Sequence, residues 1–346
     1  MVFAKIKKDK SILFIQIMCA LLIINYHTTI LDIQYLSLIA KGGFILNTIF
    51  IFFSGYLLSL SFSNFKNMTF FKFMINRIKR IYPSLIVVLL ITLFYSLITS
   101  KQIFIYNYLK WFSGFGYFFY NNEIFSNSHL WFISVILVCY ILFIPSYKII
   151  STKPFLFITF VWTIILIYNY LFSENTLAIY NNISSDKILR FLYHYLIFII
   201  SIFWQTKGYN IKRFNYMQLV TFILAFIAYI FFIKSNSYSI FSVILVIPIL
   251  LSLIPIFYSI VTKLGEKLPI IINLGSIPYE LYLIHYLIIN SLNEHLHGKI
   301  ISYPLTFIIT ILLAFLIHYS SYQFKISIEK LHTTKISLNL ANRGKY

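Results

Sequence analysis

Residues 12–30 read ILFIQIMCALLIINYHTTI, a stretch without one acidic or basic chain-end charge apart from its histidine. Its length matches what a helix needs to cross a bilayer: roughly 20 residues at about 1.5 Å each cover the hydrocarbon layer and satisfy every backbone polar group internally. The run is too long and too polar near its end for a cleaved secretory signal, and no small-residue cleavage site follows it. It is therefore expected to stay in the mature protein.

Working outward, nine further apolar runs follow, at approximately Phe44–Phe62, Ile81–Ile98, Leu130–Tyr147, Phe155–Phe172, Phe191–Trp204, Met217–Ile233, Ser239–Ile260, Ile270–Leu292 and Ile301–Ser320. Together with the first they predict an all-α polytopic membrane protein with about ten transmembrane helices. Composition agrees: 60% of the 346 residues are hydrophobic and 11% are charged, far from the roughly half-apolar, quarter-charged balance of soluble domains.

The formal charge of +19 does not point to nucleic acid, because the basic residues sit in short clusters between apolar runs. If the first segment starts inside, the outer segments hold only Lys41, Lys101, Lys110, Lys187, Arg190, Lys234 and Lys299 of the 28 Lys and Arg. The positive-inside rule then places both termini in the cytoplasm. The segment from Lys101 to His129, rich in aromatics and carrying Gly114 and Gly116, reads as an interfacial or re-entrant piece. Residues 1–320 form one membrane domain in this reading, and 321–346 a basic cytoplasmic tail. Cys19 and Cys139 each lie inside an apolar run, so neither a disulfide framework nor a cysteine metal site is supported.

Polar side chains inside such helices are costly, and each needs a reason. The first helix carries Asn25 and His27, after Gln16. The ninth carries Ser276, Tyr279, Glu280, Tyr282 and His285, of which Ser276, Tyr279, Tyr282 and His285 follow one another in steps of three, a stripe that drifts around the helix. Pro278 is expected to bend that helix. His27 and His285 each lie about fifteen residues into a helix that starts from the inside, so the two imidazoles are expected at one height. His129 and Trp131 open the fourth helix from the outer side near that level, and His194 lies close to it but in no motif. Each of these residues has two readings, packing between helices or chemistry. Likewise Arg77, Lys79 and Arg80 are either a headgroup anchor or an anion site, since guanidinium forks pair with phosphates.

Five segments in order then resemble the acyltransferase family 3 membrane proteins. They are LLIINYHTT with His27; GGFILNTIFIFFSGYLLS with Gly42, Gly43, Phe52, Phe53, Ser54 and Gly55; FFKFMINRIKRIYP with Arg77, Arg80, Ile81 and Pro83; SHLWFISVILVCYILFIP with His129 and Trp131; and LGSIPYELYLIH with Ser276, Tyr279, Tyr282 and His285. The resemblance covers about Ile12 to Ser320. Two positions depart from the family pattern in the first helix, where Leu13 and Gln16 stand in place of an aspartate and an arginine. Ile136 stands where many members have a glutamate.

The resemblance implies an O-acyltransferase of a bacterial plasma membrane that moves an acyl group, commonly acetyl, from acyl-coenzyme A to a surface polysaccharide or lipid-linked sugar. Acyl-coenzyme A would be a co-substrate, with no permanently bound cofactor, and membrane lipid and the glycan would be the partners. In this reading His27 is the base that takes the hydroxyl proton, because an uncharged buried imidazole can accept one. His285, Tyr282 and Asn25 complete the catalytic set by orienting His27 or polarising the thioester carbonyl. Arg77, Arg80, Ser276, Tyr279, Glu280, His129 and Trp131 bind substrate. A transporter or flippase, or a polymerase, of lipid-linked glycans is the alternative, with less support: neither inverted repeats nor a long charged outer loop is present.

Overall fold

The computed structural model describes residues 9–28, 43–63, 69–99, 105–119, 128–172, 186–209, 211, 215–234, 240–265, 277–296 and 302–343. Among the described residues the regular structure is helical throughout. The helices are α1 (Lys10–Thr28), α2 (Gly43–Ser63), α3 (Phe70–Ile98), α4 (Ile105–Phe112), α5 (Gly116–Phe119), α6 (Trp131–Thr152), α7 (Pro154–Phe172), α8 (Lys187–Thr206), α9 (Tyr216–Lys234), α10 (Ile240–Gly265), α11 (Pro278–Leu296) and α12 (Ser302–Arg343). A 3₁₀ turn, Ser128–Leu130, leads into α6.

Seven of these helices are long and apolar enough to cross a membrane: α2, α3, α6, α7, α8, α10 and α12. Helices α1 and α9 add the shorter apolar stretches Ser11–His27 and Tyr216–Tyr229. The chain is thus an all-α membrane protein with several spans. Between Lys101 and His129 the described residues form α4 and α5, of 8 and 4 residues, and the start of the 3₁₀ turn, all far too short to span.

Some boundaries differ from the sequence reading, for local reasons. Helix α3 begins at Phe70 rather than near Ile81, because Thr69 caps it by accepting the Lys72 N–H, which carries the basic Arg77–Arg80 stretch into the helix. Pro278 opens α11 rather than bending it. At a first helical position its missing N–H would have had no intrahelical partner in any case. Helix α12 runs 42 residues without a break at Ser320, and its apolar part extends to Ser327.

Helix α8 lies at the centre of one half of the bundle, packed on α2, α6 and α7. Helix α1 packs on α2, α10 and α11, while α12 covers α11 and α3. The α2–α8 contact depends on Gly55. A Cβ there would collide with the Ser201 hydroxyl and lie 2.8 Å from the Phe198 carbonyl oxygen, so only a glycine lets the two backbones approach this closely. Hydroxyl pairs then tie α6 to its neighbours: Ser54 with Tyr140 at 2.8 Å and Ser146 with Tyr195 at 2.6 Å. Only 17% of the apolar stretch of α7 is buried, against 56% in each of α2, α6 and α8, so α7 sits at the periphery.

Candidate active site

Three histidines from three separate parts of the chain meet at one end of this bundle. The His27 ring, from the last turn of α1, is 5.2 Å from that of His285 on α11, centroid to centroid. The His129 ring, from the 3₁₀ turn, is also 5.2 Å from His285. His285 and His129 are buried, and His27 is partly so. The similar height expected for His27 and His285 is what the packing of α1 on α11 produces.

The hydrogen bonds define which nitrogens are available. His285 Nδ1 lies 2.7 Å from the Tyr282 carbonyl oxygen. Since a carbonyl only accepts, Nδ1 carries the hydrogen, and in the neutral ring Nε2 holds the lone pair. That Nε2 is buried and meets no hydrogen-bond partner. By the same logic His129 Nε2 donates to the Leu283 carbonyl at 2.9 Å, which turns its Nδ1 into the acceptor.

Tyr282 is buried and donates its hydroxyl to the His129 carbonyl. Its one hydroxyl hydrogen is committed there, so it fixes the 3₁₀ turn against α11. Tyr286, which sequence reasoning missed, closes the cluster. Its ring stacks on His129 at 5.2 Å and stands edge-on to His27 at 5.4 Å. Its one signal was adjacency to His285.

Other expected site residues go elsewhere. Asn25 is buried but stands two residues before His27, and side chains two apart on a helix do not face each other. Trp131 belongs to a neighbouring cluster, 5.0 Å from the His194 ring and with the Arg190 guanidinium 5.0 Å above it. Glu280 is buried, and its Oε1 accepts from Ser84 at 2.9 Å and faces His318 Nδ1 at 3.1 Å. The drift of the α11 stripe is visible here: Tyr279 donates to the Ile81 carbonyl of α3 at 3.1 Å, whereas Tyr282 and His285 reach the 3₁₀ turn. Ser276 lies outside the described residues.

Helix α6 carries the site toward the opposite end of the bundle. Eleven residues beyond His129, roughly 16 Å at about 1.5 Å per residue, the Tyr140 ring lies 6.0 Å from the Arg77 guanidinium carbon, with the Phe73 ring at 5.6 Å from the same carbon. The Arg77 Nε is buried without a hydrogen-bond partner, and among the described residues no carboxylate pairs with it. The residue is half-buried, and two aromatic faces offset part of the desolvation of its guanidinium, but a donor nitrogen buried without an acceptor is still costly. Arg80 is exposed, one turn further along α3. Tyr140 was the missed residue here, linked by its hydroxyl to Ser54 of the glycine-containing segment on α2.

The arrangement offers a buried nitrogen lone pair at one station and, at another along α6, a half-buried guanidinium whose Nε has no hydrogen-bond partner. Comparison with curated proteins and with solved structures gave no match. The model of acyltransferase family 3, described as an acyltransferase domain, matches residues 9–319. That match takes in α1 and the whole described site, so the chain belongs to acyltransferase family 3 and is a membrane acyltransferase.

Proposed function

We propose that this acyltransferase transfers an acyl group, acetyl in the simplest case, from acyl-coenzyme A to a hydroxyl of a cell-surface polysaccharide or lipid-linked sugar, in a bacterial plasma membrane and with both termini in the cytoplasm. The observation that carries the reading is the convergence of His27, His129 and His285 at one end of α6, with the Arg77 guanidinium beside Tyr140 further along it, its Nε without a hydrogen-bond partner.

The donor enters from the cytoplasmic end. Its phosphates pair with Arg77 and Arg80, a guanidinium fork matching two phosphate oxygens, and its thioester arm extends along α6 to the histidines. Excluding water there protects the thioester from hydrolysis. The acceptor hydroxyl arrives from the opposite side. His27 removes its proton as the oxygen attacks the thioester carbonyl, a carbon–oxygen bond forms, the carbon–sulfur bond breaks, and the same proton passes to the leaving thiolate. General-base assistance of this kind is typically worth about 10² to 10⁴-fold. His285, whose ring neighbours that of His27, shares the proton during the exchange, and Tyr282 holds His129 and His285 in place.

Mass spectrometry of surface glycans tests this directly. Deleting the gene is expected to remove an acyl ester from the glycan with chain length unchanged. Wild-type protein should restore it, and a stably inserted His27→Ala variant should not. Unaltered esterification after deletion would refute the assignment.

A further inference from the structure

The rings around His27 hold few hydrogens to donate, and most of them are spent. His285 gives its Nδ1 hydrogen to the Tyr282 carbonyl, His129 its Nε2 hydrogen to the Leu283 carbonyl, and Tyr282 its hydroxyl hydrogen to the His129 carbonyl. What these groups keep are lone pairs, which suit the removal of a proton. Acyl transfer needs a donor as well. As the acceptor oxygen bonds to the thioester carbon, the carbonyl oxygen gains negative charge, and in a site closed to water that charge is stabilised by a hydrogen-bond donor already in place.

Tyr286 is placed to be that donor. Among the described residues its ring alone adjoins all three histidines, at 5.4 Å from His27, 5.2 Å from His129 and 6.3 Å from His285. The side chain is half-buried. Its hydroxyl has no hydrogen-bond partner among the described residues and is not among the polar atoms sealed inside the protein, so its hydrogen is open to a ligand. Tyr26 is the other phenol beside His27, with its ring at 4.9 Å. It is 40% exposed and stands on the far side of that ring in the chain, away from α11.

We propose that Tyr286 is a catalytic residue of the acyl transfer, donating a hydrogen bond to the thioester oxygen while His27 takes the proton of the acceptor hydroxyl. The proposal rests on the donor reading above. The carbonyl electron pair moves onto the oxygen as the new carbon–oxygen bond forms and returns to carbon as the carbon–sulfur bond breaks; Tyr286 keeps its proton throughout. It supplies the hydrogen that Tyr282, committed to the His129 carbonyl, does not.

Binding to the full-length protein in lipid nanodiscs tests this with two unreactive relatives of acetyl-coenzyme A: a ketone with a methylene in place of the sulfur, and an ethyl thioether with a methylene in place of the carbonyl. Wild type is expected to bind the ketone about five- to tenfold more tightly, the worth of one buried hydrogen bond. Tyr286→Phe keeps the ring contacts, so it should unfold at the wild-type temperature, lose the preference for the ketone, bind the thioether unchanged and lower kcat for ester formation by about 10²- to 10³-fold. Tyr26→Phe should retain both the preference and the rate. Equal binding of the two probes by wild type, a preference that survives in Tyr286→Phe or is lost in Tyr26→Phe, or full turnover by Tyr286→Phe overturns the role of Tyr286 and leaves the donor reading standing. Folded wild type that binds neither probe overturns both. The wild-type comparison of the two probes needs no variant to fold.

Discussion

His27 and His285, from the first and the next-to-last described helices, face each other with ring centroids 5.2 Å apart. Only folding of the whole bundle makes this contact. Replacing His285 with Ala is expected to lower acyl transfer by about 10²-fold or more, as His27→Ala does, because the two rings handle one proton. The double variant should be barely worse than either single one, as groups acting as a unit are non-additive. Initial rates of ester formation in membranes with matched protein levels check this; additive losses would mean that the two rings act separately.

Much of this site was legible beforehand, for a physical reason. Depth in a membrane helix follows from counting residues at a fixed rise, so the meeting of His27, His285 and His129 could be anticipated from sequence. Rotation about the helix axis could not, because it depends on which neighbour each face meets. That is why Trp131 turns to His194 and Arg190 and Glu280 to Ser84 and His318. Tyr286 and Tyr140 gave little signal, since an aromatic residue among 28 tyrosines and 37 phenylalanines carries almost no information until its partner is known.

Arg77 is a half-buried cation whose guanidinium faces two aromatic rings and whose Nε is buried without a hydrogen-bond partner among the described residues. Replacing it with Met is therefore expected to keep or raise thermal stability, since apolar groups of similar volume are tolerated in place of buried charge, while weakening coenzyme A binding by about tenfold or more. Arg77→Lys keeps the charge but lacks the fork and should fall between the two. Thermal unfolding in detergent, paired with coenzyme A titration, measures both effects. A Met variant that loses stability and keeps its affinity would contradict the anion-site role.

Gly55 admits no side chain without moving the Phe198 carbonyl or Ser201. Gly55→Ala is expected to cost about 1–3 kcal/mol through overpacking, and Gly55→Leu to prevent stable assembly of α2 on α8. Detergent thermal-shift curves and protease sensitivity read the difference. An alanine variant as stable as wild type would mean that the two helices separate without penalty.

Glu280 joins α3 and α12 through Ser84 and His318. Removing His318 leaves Glu280 with Ser84 alone, and His318→Ala is expected to lower stability by about 1 kcal/mol or less, a modest figure because the His318 side chain is 39% exposed. Adding Glu280→Gln should recover part of that loss, because the carboxylate then no longer lacks a partner. A double-mutant cycle of unfolding temperatures gives the answer, and strict additivity would show that the pair is not coupled.

Helix α12 is the longest element, 42 residues in one piece, or roughly 63 Å at about 1.5 Å per residue, twice the roughly 30 Å thickness of the hydrocarbon layer. Its length therefore exceeds what the layer can cover, so the helix that carries His318 against Glu280 also continues out of the hydrocarbon without a change of secondary structure.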